Sequence, residues 1–252
     1  MAAAVRTEPM TVQPGRPHRA PHQVVRYAFA LRTARELPVS ARILEVGSGS
    51  EGISTWLRRS FVGIDLSFDR PVDSMMVPLI GDASRLPFGD GSFDLVLCID
   101  VLQDVPAALI PGVCAEMARV TRGKLVITTP CGADAEASDS ASEAWCRRRG
   151  MPPPSWLEQH VRTGLPRADV IRSALASSGV VREACATSVA WNERLFRLEF
   201  ALRRLHAMTV LQPLLRAWGR RAPSELEGSG PCYRRRFVLD TQATGSPPPV
   251  HS

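Results

Sequence analysis

The stretch ILEVGSGSEGIS, residues 43–54, decides how the rest of the chain is read. Apolar residues run into a glycine cluster, and the chain then turns polar. Gly47, Gly49 and Gly52 spell G-x-G-x-x-G, the pattern by which a strand–turn–helix unit seats a dinucleotide pyrophosphate on a helix N-terminus. Glu45, Gly47 and Gly49 also spell E-x-G-x-G, a pattern that belongs to a different ligand. The glycines alone do not separate the two, so the flanking segments must.

Outward from this stretch, strands and helices alternate. The patterns predict a helix near Val24 to Glu36, a strand at Arg42 to Val46, a helix opening near Gly52 and a strand at Phe61 to Asp65. A short strand near Val77 to Ile80, a strand at Phe93 to Ile99, a helix from Ala107 to Val120 and a strand at Lys124 to Thr129 follow. Residues 131–165 read as a loop across the site mouth, 166–178 as a helix begun by Pro166, 180–188 as a sixth strand and Arg234 to Leu239 as a seventh. Such alternation gives an α/β fold with a mostly parallel seven-stranded sheet covered by helices on both faces. The run LVLCI, residues 95–99, is apolar at every position, as a strand buried on both faces should be.

The segment GDASRLPFGDGSFDLVLCIDVLQDVP, Gly81 to Pro106, separates the two readings. It resembles the G-D-A-x-x-L-P-F, F-D-x-V and following strand of type 11 methyltransferase domains, which are class I and S-adenosylmethionine-dependent. KLVITTP, Lys124 to Pro130, is similar to that family's fifth strand, and Glu45 to Gly49 to its first motif. The resemblance covers Arg42 to Pro130 and implies a Rossmann-like methyltransferase fold with S-adenosylmethionine as cofactor. It implies that Asp82 binds the adenine amino group, with Ala83 beside it. Where many relatives have an E-H pair after the fourth strand, this chain has Gln103 and Asp104, so no base is carried over from that position.

The residues support the same site on physical grounds. Gly47 and Gly49 remove side chains where a backbone must approach a ligand. Glu45 sits where an acceptor can organise the loop or reach an ammonium group. Asp65 and Asp82, each at the carboxyl end of a predicted strand, point into the crevice where open α/β sheets bind ligands, and Asp65 suits ribose hydroxyls. Ser48, Leu66 and Ile99 complete the expected cofactor set. Methyl transfer asks for little acid–base chemistry, and the catalytic residues are not assigned. His160, in SWLEQHVRTGLP, is the candidate base, with a hydrogen-bonded structural histidine as the alternative, and Glu158 either orients it or is only solvated.

Composition bounds the remaining readings. The 252 residues suffice for one domain, expected over 22–240, with a cofactor-binding half at 42–130 and loose tails at 1–21 and 241–252. No apolar run is long enough for a membrane span or a signal peptide, so the expected location is cytoplasmic. Six cysteines without a C-x-x-C pair predict reduced, mostly buried thiols and no metal site. Between Ala190 and Arg236, ten arginines against four glutamates carry the entire formal charge of +6. Leucines at three- and four-residue spacing from Trp191 to Trp218 make this a helical insertion before the last strand, a basic cap over 190–231. It reads as a cap or dimer helix, or as a peripheral membrane contact through 190–236 that presents a lipid-linked acceptor. A small-molecule acceptor is equally open, nucleic acid ranks last, and oligomeric state is unassigned. The competing functions are a nicotinamide-dependent oxidoreductase using the glycine loop and a catalytically silent cofactor-binding module.

Overall fold

The computed structural model describes residues 21–204 and 230–242. Helix α1 (Pro21–Glu36) leads into β1 (Ile43–Val46), β2 (Phe61–Asp65), β3 (Met76–Ile80) and β4 (Phe93–Ile99). Then come α2 (Ile110–Val120), β5 (Thr121–Pro130), α3 (Ala133–Arg148), α4 (Ser155–Thr163), α5 (Ala168–Ala176), β6 (Val180–Ser188), α6 (Val189–Arg204) and β7 (Cys232–Asp240). The seven strands form one sheet in the order β3-β2-β1-β4-β5-β7-β6. β7 runs antiparallel to both of its neighbours, and the other pairings are parallel.

Strand β4 is the spine of the sheet, and its pleat explains its composition. Val96 and Cys98 face a cluster with Val113 and Met117 of α2 and Ile171 and Leu175 of α5. Leu95, Leu97 and Ile99 face the opposite cluster with Tyr27, Ala30 and Leu31 of α1. From Leu95 to Ile99 successive side chains enter opposite cores, so each of these five positions is apolar. Each such burial is worth roughly 1.5–3 kcal/mol relative to exposure.

Three expectations are corrected here. No α-helix opens at Gly52: a single 3-10 turn, Gly52–Thr55, follows the glycine loop. Only residues 47–60 separate β1 from β2, and Gly47, Gly49 and Gly52 all take positive φ of 70, 54 and 49°. Too little chain remains for a helix and its return, and α1 covers that face instead.

The predicted loop at 131–165 is mostly the helices α3 and α4. The face α3 buries consists of Ala135, Ser138, Asp139, Ser142 and Cys146. Their spacing is helical but their side chains are small or polar, so the apolar stripe that signals a helix is missing. Acidic residues in the first turn of α3 and arginines in its last complement the helix dipole. Three prolines precede α4, and Gly164 at φ 75° ends it.

The thiol expectation fails at one pair. Cys185 and Cys232, 47 residues apart in sequence, form a disulfide between the adjacent strands β6 and β7, with Cα atoms 5.7 Å apart. Cys98, Cys114, Cys131 and Cys146 are free and buried.

The expected tails lie outside the described residues except at their inner edges. The backbone N–H of Thr241 bonds to the Gly123 carbonyl at 3.0 Å, so the ordered chain continues past β7. The cap is described only as far as α6, and the leucine and methionine pattern beyond it lies outside the described residues. Among the described residues, no helix is long and apolar enough to cross a membrane.

Candidate active site

The glycine loop is anchored from beneath. Glu45 is 1% exposed, and its carboxylate accepts hydrogen bonds from Tyr27 Oη at 2.8 Å and the Ile53 backbone N–H at 2.6 Å. Burial pushes its carboxyl up to about 7, against the pull of those two bonds. A Cβ on Gly52 would lie 2.5 Å from Glu45 Oε2, so the loop folds directly over this carboxylate. Of the two roles open to Glu45, organising the loop is the one its contacts serve.

The glycines differ in what surrounds them. A Cβ on Gly47 would lie 2.2 Å from Val101 Cγ2, whereas one on Gly49 meets nothing within 4 Å. Gly47 therefore closes the loop against the end of β4, and Gly49 faces open space. The Gly49 N–H donates to Asp65 Oδ2 at 2.7 Å, while Asp65 Oδ1 accepts from the Leu66 N–H at 2.8 Å. Ser48 is buried, and its hydroxyl donates to the Gly49 carbonyl at 3.0 Å.

Asp65 pairs with Ile80 in the sheet, and the Gly81 N–H bonds to the Asp65 carbonyl, so Asp82 and Ala83 follow at the same sheet end. Asp82 is exposed, and its carboxylate accepts from the Ser84 N–H at 2.8 Å, which lowers its pKa. Leu66 is 71% exposed at this rim. Ile99 lies apart from the rim, buried in the core beneath α1.

Beyond the end of β4 lies a chamber of about 540 Å³, within the usual size of small-molecule sites. None of the sequence-predicted cofactor residues lines it. Its floor is an ion-pair cluster centred on Asp100, which adopts positive φ of 53°. Arg234 of β7 grips both Asp100 oxygens, Nε to Oδ1 at 2.7 Å and Nη2 to Oδ2 at 2.8 Å, and Arg26 Nη1 adds a third bond at 3.1 Å. Burial alone would raise the Asp100 carboxyl, but the two guanidiniums bring it down to about 2. Gln103 and Asp104 also line the chamber, Gln103 held by Thr129 Oγ1 at 3.0 Å and Asp104 by the amides of Gln103 and Gln159.

The far wall carries Trp156, Phe196, Phe200 and His160. His160 Nδ1 lies 2.9 Å from Asp139 Oδ2, and Tyr233 Oη donates to Asp139 Oδ1 at 2.9 Å. Of the two readings of Glu158, the structure has the solvated one: it lies on the surface, 3.8 Å from Arg147. Sequence reading missed Asp100, Asp139, Tyr233 and Arg234 as members of one site. It counted the charges of Arg234, Arg235 and Arg236 with the basic segment 190–236, although all three belong, as expected, to the seventh strand, β7. Arg234 is tied to Asp100, Arg235 Nη1 bonds to Glu183 at 2.7 Å, and the Arg236 guanidinium lies 3.8 Å from the Phe29 ring centroid. The charge excess of 190–236 is thus not one basic face. No metal-binding group of His, Cys, Asp and Glu occurs among the described residues.

Residues 44–127 match the family model described as a methyltransferase domain. No curated protein matches the chain. Among solved structures, geranyl diphosphate methyltransferase in complex with SAM superposes with a TM-score of 0.53 at 15% identity, covering 87% of this chain and 85% of that one. Phosphoethanolamine N-methyltransferase 2 from Haemonchus contortus, solved with phosphomonomethylethanolamine and S-adenosylhomocysteine, gives a TM-score of 0.52 at 15% identity. It is covered over 57% of its length, against 87% of this chain. At such identities the likeness is one of fold.

Proposed function

We propose, from the premise that this chain carries a methyltransferase domain and uses S-adenosylmethionine, that it transfers a methyl group to a small molecule held in the Asp100 chamber. The observation that carries the reading is the opening at Gly49. A Cβ there would meet nothing, at a loop position that Asp65 fixes and where Gly47 and Gly52 are packed shut. Asp65 serves the ribose hydroxyls and Asp82 the adenine amino group, with Leu66 and Ala83 as apolar contacts. Ser48 and Glu45 act from within the loop, and Ile99 from the core behind it. Among the described residues Arg26 Nε is a buried donor without a partner, and Arg26 reaches Asp100, next to the Val101 that closes on Gly47. It suits the carboxylate of the cofactor's amino-acid end.

S-adenosylmethionine brings an already activated methyl group on a sulfonium. The protein's task is then to hold the acceptor in line at roughly 3–3.5 Å and to exclude water. Apolar chamber walls and a neutralised ionic floor suit both tasks. The nicotinamide reading loses its physical support, because a four-residue 3-10 turn offers no helix dipole to a pyrophosphate.

Isothermal calorimetry with S-adenosylmethionine, S-adenosylhomocysteine and NAD tests the reading. Binding of the first two without NAD is expected. NAD binding without S-adenosylhomocysteine binding would overturn it. Incorporation of radiolabelled methyl from S-adenosylmethionine into cell extract distinguishes an enzyme from a silent binding module.

A further inference from the structure

We propose that His160 is the general base of this site and that its acceptor is a ring-bearing hydroxyl, a phenol or an enol. The inference rests on the methyltransferase reading above and adds the acceptor's chemistry. It starts from a chain of three side chains contributed by α4, α3 and β7. His160, Asp139 and Tyr233 are 6, 1 and 2% exposed, and the two bonds joining them are both 2.9 Å. An ionised Asp139 only accepts hydrogen bonds, so Nδ1 of a neutral His160 carries the proton and Nε2 keeps its lone pair.

Asp139 is buried, and its two hydrogen-bond partners are the Tyr233 phenol and the His160 imidazole. A proton that Nε2 takes from a ligand makes the imidazole cationic with the Asp139 oxygen 2.9 Å from Nδ1. Asp139 is thus a positioning residue, and Tyr233 holds Asp139.

The base narrows the acceptor. A carboxylate, a thioether or a tertiary amine already carries a free lone pair and needs no proton removed. Of the two arginines lining the chamber, Arg234 is fixed on both oxygens of Asp100 and Arg26 is assigned above to the cofactor's carboxylate, so little is left for an anionic acceptor. Around the base the walls are rings. Trp156 meets His160 edge-on with centroids 5.3 Å apart and meets Phe196 at 6.2 Å, and Phe200 continues the surface. A planar apolar ring fits such walls, and its hydroxyl is the group that needs His160. Asp104, Glu199 and the Asp100 cluster with Arg234 and Arg26 are the other charged groups lining the chamber. In the step, the hydroxyl proton passes to Nε2 and the oxygen lone pair forms the new C–O bond as the C–S bond breaks. The electron pair of that bond stays on sulfur. The products are a methyl ether and S-adenosylhomocysteine, and His160 then returns its proton to solvent.

The test uses the full chain loaded with S-adenosylhomocysteine, with 4-nitrophenol as probe because its ionisation is visible in absorbance. The bound probe should be more ionised than the free one at the same pH, and His160→Gln should reverse that while leaving S-adenosylhomocysteine affinity unchanged. The glutamine amide can still donate to Asp139, so the fold is expected to hold. With S-adenosylmethionine, His160→Gln should slow methylation of 4-nitrophenol by about 10²- to 10⁴-fold. Independently of any acceptor, ¹⁵N NMR should find His160 protonated at Nδ1, and Asp139→Asn, which can donate, should move that proton to Nε2. A wild-type proton on Nε2, no binding of the probe, or equal probe ionisation in wild type and His160→Gln would overturn the proposal. Methylation of benzylamine with none of 4-nitrophenol would overturn the hydroxyl assignment. Absence of S-adenosylhomocysteine binding in the wild type marks failure of the underlying methyltransferase reading instead.

Discussion

The glycine loop and the chamber lie at the same end of the sheet, but they are encoded at different ranges. Around the loop, Ile53 and Glu45 are 8 residues apart, Gly49 and Asp65 16, and Tyr27 and Glu45 18. In the chamber, Asp139 and His160 are 21 residues apart, Tyr233 and Asp139 94, and Arg234 and Asp100 134. The loop is built by one turn and the ends of adjacent strands, so short motifs carry it. The chamber exists only once β7 has inserted between β5 and β6. Substitutions in the chamber should therefore cost folding energy first, and those at the loop's open face should cost ligand affinity first.

The largest effect is expected at Asp100→Asn. The amide keeps the shape and tolerates the positive φ, but it leaves Arg234, 8% exposed, without its counter-charge. Urea unfolding at pH 7 should show a loss of about 3–5 kcal/mol. Adding Arg234→Met should restore a large part of it, since the more buried of the two stranded guanidiniums, Arg234 rather than Arg26, is then gone. The folded carboxyl, at about 2, lies below its unfolded value, so its contribution is complete above about pH 4 and is lost as pH falls toward 2. A loss under about 1 kcal/mol for the single variant would mean that solvent screens the pair.

A second test turns on the sign of a pH dependence. Glu45 is raised in the folded state to about 7, so between about pH 4.5 and 7 the folded protein binds more protons than the unfolded chain. Stability should therefore fall as pH rises through that window, by up to about 3 kcal/mol from this group. Glu45→Gln keeps acceptor and donor atoms near Ile53 and Tyr27 without the charge, and should flatten the slope. An unchanged slope would show that the carboxylate is better solvated than its burial implies.

The same contrast in range explains what the sequence made legible. Strands β2, β4 and β6 are found where their apolar runs or turn boundaries predict, because pleat and burial act on adjacent residues. The order of glycine loop, Asp65 and Asp82 is likewise local to strand ends. Helix α3 escapes because its buried face of Ala135, Ser138, Asp139 and Ser142 has helical spacing without hydrophobicity. His160 could be picked out as a rare titratable residue, but its partner could not. Nothing near Asp139 in sequence marks it as buried, and the nearer carboxylate, Glu158, turns to Arg147. Arginines 234–236 mislead for a related reason: a charge count does not see that a strand can bury guanidiniums against Asp100, Glu183 and an aromatic ring.

Within the loop, Gly47→Ala and Gly49→Ala separate packing from access. Both residues adopt positive φ, which costs a non-glycine residue roughly 1–2 kcal/mol. Gly47→Ala also drives a methyl into Val101, and overpacking adds about 1–3 kcal/mol. Thermal unfolding should therefore rank Gly47→Ala as the more damaging. Gly49→Ala should lose S-adenosylhomocysteine affinity beyond what its small stability loss explains. Equal stability losses would mean that Val101 moves aside freely, and the loop's closed and open glycines would no longer be distinct.

The smallest folding effect is expected at Asp82→Ala, and Asp65→Ala is its control. Asp65 holds two backbone N–H groups, those of Gly49 and Leu66, so its removal should cost stability of about 1 kcal/mol as well as cofactor affinity. Asp82 is exposed and holds only the start of its own turn through Ser84, so Asp82→Ala should leave unfolding within about 0.5 kcal/mol of wild type. If Asp82 meets the adenine amino group, calorimetry should nonetheless record an affinity loss of about 1–3 kcal/mol for S-adenosylhomocysteine. A pure affinity effect at Asp82, beside a mixed effect at Asp65, is what a rim residue and a loop anchor should give. Unchanged affinity for folded Asp82→Ala would confine the cofactor site to the glycine loop and Asp65, and the adenine would have to be held by other groups at the β3 end of the sheet.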